Sequence, residues 1–246
     1  EALHPAAIDM GLTRVAAVRD AMGLNPSFPV LIVAGTNGKG SVCAMLSHIL
    51  RAAGYRVGTY TSPHLQHYNE RVMLNLTPVS DQVLVDAFRQ VESVRGETTL
   101  TYFEFGTLAA MRVFIDAAVD VAVLEVGLGG RLDAVNVFEP DASAVVSVGL
   151  DHQAFLGDTR EAVGHEKAGV YRTGKPAFCA DPNPPQSLLD HADEIGADLR
   201  LIGRDFGFQK QNEDRQWMVW SKGGIHRHAL PFPALRGDYQ LGNAAL

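Results

Sequence analysis

The stretch VLIVAGTNGKGSVCAML, Val30 to Leu46, decides the fold. Val30, Leu31, Ile32 and Val33 form a short, mostly β-branched apolar run, the pattern of a strand buried on both faces. After Ser41 the apolar positions Val42, Met45, Leu46, Ile49 and Leu50 recur at helical spacing. Between them lies a glycine-rich bend carrying one lysine and one serine. Strand, bend and helix together make a preformed anion site. Free backbone N–H groups and the helix N-terminus face the anion, the lysine adds a point charge, and the hydroxyl can face Mg²⁺. The usual phosphate-loop pattern, G-x-x-x-x-G-K-[ST], asks for Gly where this chain has Val33 and a hydroxyl where it has Gly40. Here the hydroxyl arrives one residue later, at Ser41. An ordinary strand-to-helix turn would not need Lys39 in the bend.

Working outward, apolar runs alternate with helical patterns over the first two thirds of the chain, which is the signature of βαβ units. Strands are expected at Val30–Ala34, Val57–Tyr60, Val121–Val126, Ala144–Val148 and Pro176–Ala180. Helices are expected at Ser41–Ala53, Ser80–Val94, Glu104–Ala117 and Thr159–Gly169. Gly54 reads as a C′ glycine, and Ser80 and Asp158 read as N-caps. From Leu199 the texture changes to short runs, LRLIG, FGFQKQ, QWMVWS and HRHALP, which read as a small antiparallel patch on the sheet edge. The fold class expected is α/β, a phosphate-loop doubly wound, mostly parallel sheet with that patch near the C-terminal end.

The composition sets limits on function. The 246 residues are 46% hydrophobic and 20% charged, an ordinary globular balance. A net charge of −7 argues against nucleic acid or an anionic membrane as general partner. No apolar run approaches the roughly 20 residues of a membrane helix. Cys43 and Cys179 are too few for a disulfide framework and imply a reducing, cytoplasmic setting. The start at Glu1 and the end inside LGNAAL, which reads as the beginning of a helix, give the expectation of a fragment.

Ligands of doubly wound sheets gather outside the carboxyl ends of the strands, and three polar clusters fall there. In VAVLEVGLGGRLDA an apolar strand runs into Glu125 and then into a glycine-rich loop with Arg131 and Asp133. A carboxylate inside an apolar strand is costly unless paired or metal-bound. Glu125 therefore either holds Mg²⁺ near the phosphate loop or pairs with Arg131. In VSVGLDHQAFLG, Asp151 and His152 stand at a strand mouth, where the histidine is either a structural hydrogen-bonding residue or a ligand. In YTSPHLQHYNERV, Ser62, His64, His67 and Arg71 follow the Val57–Tyr60 strand. Elsewhere Glu166 and Lys167 read as a solvated neighbouring charge pair. The aromatics of TYFEFGTL read as core, and WMVW reads as strand packing.

Taken together, AGTNGKGS, TSPHL…NERV, TYFEFGTLAA, LEVGLGGRLDAVN, GLDH…LG and HEKAGVYR resemble folylpolyglutamate synthase/dihydrofolate synthase, a branch of the Mur ligase superfamily. The likeness runs in order from about Ile8 to Asn243, and the late Ser41 is a trait of that family. The resemblance implies an ATP-dependent amide ligase: a carboxylate of a pterin substrate (dihydropteroate or tetrahydrofolate) is phosphorylated, and the amino group of L-glutamate attacks the acyl phosphate. It implies that Thr36, Asn37, Gly38, Lys39, Gly40 and Ser41 hold the ATP phosphates and that Asn243 contacts the nucleotide. It implies Mg²⁺, as two ions, held by Ser62, Glu125, His152 and a carbamylated Lys167, with Lys39, His152 and Lys167 catalytic. Pterin contacts are implied at His4, Pro5, Ala6 and Ala7, at Thr101, Tyr102, Phe103 and Glu104, and at Leu132, Asp133 and Ala134. The family is usually monomeric.

Two features depart from the family pattern. After Asp151-His152 the family commonly has an acid, where this chain has Gln153-Ala154-Phe155. The family also has a second, Rossmann-like domain, expected to begin at 241–246 after an ATP- and pterin-binding domain at 1–240; without it, weak binding and little or no turnover are expected. Two other readings compete with the folate ligase. One is a Mur-type ligase of cell-wall peptides, and the other is a nucleotide-binding module without chemistry.

Overall fold

The computed structural model describes residues 8–211, 216–235, 237 and 239–246. The predicted contacts at His4, Pro5, Ala6 and Ala7 lie outside the described residues. In chain order the elements are α1 (Thr13–Ala21), β1 (Val30–Ala34), α2 (Lys39–Ala52), β2 (Val57–Tyr60), β3 (Val72–Leu74), β4 (Thr77–Pro78), α3 (Asp81–Arg95), α4 (Tyr102–Asp116) and β5 (Val121–Glu125). There follow β6 (Ala142–Val145), α5 (Gln153–Leu156), α6 (Arg160–Ala168), β7 (Pro176–Cys179), α7 (Gln186–Glu194), β8 (Asp198–Leu201), β9 (Phe206–Gln211), β10 (Gln216–Ser221), β11 (His226–Pro231) and α8 (Tyr239–Ala245).

Eight strands form one sheet in the order β4-β3-β2-β5-β1-β6-β7-β8, parallel from β2 through β8, with β3 and β4 antiparallel at one edge. β1 and β5 lie at its centre, and side chains alternate between the two faces as the pleat requires. Ile32, Ala122 and Leu124 pack into the larger apolar cluster with α1, α3 and α4. Val33, Val121 and Val123 pack into a smaller one with Val42 and Cys43 of α2. Burial on both faces explains the unbroken apolar runs that made these strands legible. Strands β9, β10 and β11 form a separate antiparallel sheet.

The structure corrects several expected boundaries. LRLIG does not belong to the antiparallel patch: β8 pairs in parallel with β7, returning through α7. That helix follows Pro184-Pro185 and buries Leu188 and Ala192; the prolines read as loop, and Pro185 is in fact its N-cap. β6 begins two residues earlier than expected and ends at Val145, because Val146 to Val148 leave the sheet to brace the phosphate loop. α1 was not expected at all. Thr159, not Asp158, caps α6, its hydroxyl accepting the Ala162 N–H at 3.1 Å. Gly54 does stand at C′ of α2 with φ +96°, and Ser80 is the N-cap of α3. α8 straddles the expected boundary at 240/241 and packs on α2 and β9.

Candidate active site

Lys39 to Ser41 form the first turn of α2, and Gly38 precedes it in the left-handed region at φ +88°, a conformation that favours glycine. A Cβ on Gly38 would stand 2.8 Å from Val146 Cγ1 and 2.9 Å from Asn243 Oδ1, so the loop is also closed against its neighbours. The segment after β6 holds it in place. Thr36 N–H donates to the Ser147 carbonyl at 2.8 Å, Asn37 N–H to Ser147 Oγ at 3.0 Å, and Gly149 N–H to Thr36 Oγ1 at 2.9 Å. Lys39 Nζ folds back onto the Gly35 and Thr36 carbonyls at 2.9 and 3.3 Å, as it would to crown an anion held by the loop. Asn243 Nδ2 donates to Gln240 Oε1 at 3.0 Å, and Gln240 Nε2 reaches Ser41 Oγ at 3.4 Å. The nucleotide-contact candidates Ser41 and Asn243, far apart in sequence, are therefore linked through Gln240 at one loop.

Two cavities flank that loop. The first, about 410 Å³, is lined among others by Lys39, Ser62, Arg71, Tyr102, Phe103, Glu104, Leu132, Asp133, Ala134 and His152. The second, about 940 Å³, is lined by Asn37, Gly38, Ser41, Ser147, Phe208, Tyr239 and Asn243 among others. Most predicted site residues thus line one cavity or the other. Lys167 lines neither cavity and is 3% exposed in α6.

Glu125 ends β5, is 5% exposed, and accepts the Ser62 N–H at 3.1 Å. The alternative pairing with Arg131 is absent: Arg131 donates to Glu166 at 2.6 Å instead. Burial pushes the Glu125 carboxyl above its ordinary value, opposed by the Ser62 N–H and by the charges of Lys39 and Arg71. The same finding removes the Glu166–Lys167 surface pair. Lys167 is held down to about 8 by burial and by repulsion from Lys39, with Asp151 and Asp133 pulling the other way. Asp133 is pushed up to about 7 by burial, although it accepts N–H groups from Leu128 at 2.8 Å and Val135 at 3.1 Å. These groups feel one another, which marks a single electrostatic cluster. His152, half-exposed, occupies the left-handed region at φ +47°, with Nε2 3.7 Å from Asp151 Oδ2. A non-glycine residue held there is unusual and fits a functional position.

The donors suit a divalent cation. Glu125 is a buried carboxylate with no ion pair among the described residues, facing the first turn of α2. Also among the described residues, no three His, Cys, Asp or Glu side chains converge into a ready-made cage.

The aromatic segment has a double character. Thr101 and Glu104 form a capping box: Glu104 N–H donates to Thr101 Oγ1 at 3.2 Å, and Thr101 N–H to Glu104 Oε2 at 2.7 Å. Glu104 Oε1 accepts from Arg14 Nη2 at 2.9 Å. Phe105 packs on Phe88 as core, while Phe103 lies against Gly127 and Tyr60 and also lines the cavity. Tyr102 is half-exposed, so the core reading fails there. Trp217 donates to the Pro231 carbonyl at 2.9 Å, which is strand packing as expected. Sequence reasoning missed Arg14, because nothing local marks a helix arginine whose partner is 90 residues away. It also missed Asp9 and Met10 as cavity walls.

A parallel sheet, a glycine-rich loop opening α2 and an acid at the neighbouring strand end define an α/β phosphate-binding domain of the nucleotide-dependent class. The chain belongs to the Mur ligase middle domain family, whose model matches residues 33–180. It is 46% identical over 234 residues to the dihydrofolate synthase/folylpolyglutamate synthase of Escherichia coli strain K12, covering 95% of this chain and 55% of that protein. Its fold is similar to E. coli FolC in complex with DHPP and ADP, with a TM-score of 0.94, 43% identity, and 98% of this chain and 58% of that one covered. It is also similar to a bifunctional folylpolyglutamate synthase/dihydrofolate synthase with Mn, AMPPNP and L-glutamate bound, with a TM-score of 0.90, 44% identity, and coverage of 99% and 57%. The chain spans about half the length of the curated relatives it matches.

Proposed function

We propose that this chain is the ATP- and pterin-binding part of an ATP-dependent ligase that joins L-glutamate to dihydropteroate, to a folate, or to both, through an acyl phosphate. One observation carries the reading. Lys39 of the phosphate loop, Ser62 and His152 share the walls of a single cavity with Phe103, Glu104, Leu132 and Asp133. A pterin acid lying in that cavity brings its carboxylate toward the bound phosphate. The ligands bound to the relatives, DHPP, ADP, AMPPNP, Mn and L-glutamate, are those such an enzyme takes.

In this reading the loop from Thr36 to Ser41 grips the ATP phosphates with backbone N–H groups, and Lys39 leaves its carbonyl partners to neutralise charge. Ser62, Glu125 and His152 would hold Mg²⁺, and a carbamylated Lys167 would hold a second ion; such ions would supply screening of the negative charge between carboxylate and phosphate. Phe103 packs on the pterin ring, and Glu104 and Asp133 accept from its N–H groups. Asn243 and the second cavity take the nucleoside side. The protein mainly positions and neutralises, which is where the rate gain of such transfers arises.

Calorimetric titration of dihydropteroate into the chain, with Mg²⁺ and a non-hydrolysable ATP analogue present, tests the proposal. The expected result is saturable binding, lost in Glu104→Ala and absent for a cell-wall peptide precursor. Nucleotide binding without pterin heat would overturn the folate assignment and leave the phosphate loop standing.

A further inference from the structure

Arg71 closes the short 3₁₀ helix Tyr68–Arg71 and is 9% exposed. Its Nε donates to His64 Nδ1 at 2.8 Å. Its guanidinium lies over two rings, with Cζ 5.6 Å from the Tyr68 centroid and 5.4 Å from that of Tyr102. The side chain is thus fixed at one edge and by two rings, while its free end lines the first cavity with Ser62 and Tyr102.

Even less buried arginines have acids: Arg14 pairs with Glu104, Arg95 with Glu92 and Arg172 with Glu139. Among the described residues no carboxylate stands within ion-pair distance of Arg71, and its two terminal nitrogens make no hydrogen bond. The acids around the cavity are otherwise engaged. Asp9 is taken by Arg14, Glu104 by Arg14 and Thr101, Asp133 by two backbone N–H groups, and Glu125 by Ser62. The fork is open to the cavity, and its geometry matches a planar, two-oxygen anion. With the nearby acids engaged, a ligand is the source of that anion.

The backbone shows which part of the ligand is near. Thr61 N–H donates to the Arg71 carbonyl at 3.0 Å, next to Ser62, whose own N–H bonds Glu125. Arg71 therefore sits at the phosphate end of the cavity, where the reacting carboxyl must lie. We propose that Arg71 is the carboxylate-binding residue of this cavity, its terminal nitrogens holding both oxygens of a substrate carboxylate while His64 anchors its Nε. This assignment rests on the ligase reading above. Two substrates carry the required group, the pterin acid through its aryl carboxylate and L-glutamate through its own.

The test titrates dihydropteroate, its carboxamide and L-glutamate into the chain and into Arg71→Met and Arg71→Lys, with Mg²⁺ and a non-hydrolysable ATP analogue present. Losing a bidentate, charge-assisted pair is expected to weaken the carboxylate it holds about 10- to 100-fold, with the carboxamide unchanged. A loss for dihydropteroate assigns Arg71 to the acid being activated, and a loss confined to L-glutamate assigns it to the amino acid. Unchanged affinity for both carboxylates overturns the proposal. So does an equal loss for acid and carboxamide, which would show that Arg71 only shapes the cavity. Arg71→Lys keeps the charge without the fork and supplies the readout if the methionine variant does not fold. A wild-type chain that binds nucleotide but neither the acid nor its carboxamide defeats the folate reading itself, and this assignment with it.

Discussion

The N–H of Ser62 donates to Glu125 Oε2 at 3.1 Å, joining the loop after β2 to the end of β5. A glutamine at 125 keeps that acceptor and removes the buried charge. Glu125→Gln is therefore expected to fold with undiminished stability, since burial disfavours the charged form. The increment that Mg²⁺ adds to ATP-analogue affinity should fall by about tenfold or more. Paired titrations with and without Mg²⁺ measure it, and an unchanged increment would remove Glu125 from the metal site.

Lys167 is expected to respond to pH and to bicarbonate. Its amine, held down to about 8 from an ordinary 10.5, costs stability wherever the unfolded chain is charged. Stability tied to this group is full above 10.5 and is lost as pH falls through about 8. In metal-free, carbonate-free buffer Lys167→Met should therefore be more stable near pH 6 by about 2–3 kcal/mol. Denaturant melts across pH should show that advantage fading toward alkaline pH. Above its pKa the neutral amine is open to carbamylation. ¹³C-bicarbonate should then give a carbamate resonance that is missing in the methionine variant and lost in acid.

Thr101 and Glu104 share a capping box but should differ in consequence. Thr101→Ala removes one cap and is expected to cost about 1 kcal/mol. Glu104→Ala also takes from Arg14 the more buried of its two acids, leaving Asp9 at 2.6 Å, and should cost about 2 kcal/mol. Only the second should abolish pterin binding. Chemical denaturation alongside pterin titration separates the two effects.

Asp133 should titrate near neutrality. Burial raises its carboxyl to about 7 from 3.8, so the stability it contributes is full below about 4 and is lost as pH rises through about 7. Its ¹³C carboxyl resonance should show an inflection near 7, shifted lower when the pterin N–H groups favour the anion. An inflection in the ordinary carboxylate range would contradict the dry environment inferred for it.

How much of this was legible in the sequence depended on how local each signal was. β1 fell where its apolar run placed it, because a strand buried on both faces writes itself as a continuous run. β6 was displaced toward the apolar AVVSV run, although its pairing starts at Ala142 beside Leu31. β8 was assigned to the wrong sheet because four half-exposed residues, Asp198–Leu201, carry no mark of the strand they will pair with.

By itself the sequence determined the phosphate loop, the alternating strands and helices, and the acids at the strand ends, because each is fixed by the spacing of near neighbours. Tertiary structure decided the charges. It gave Arg131 to Glu166, left Glu125 with Ser62 alone, buried Lys167 and left Arg71 facing the cavity without an acid. A buried group's ionisation and use depend on what lies within a few ångströms, and those neighbours come from segments far apart in the chain.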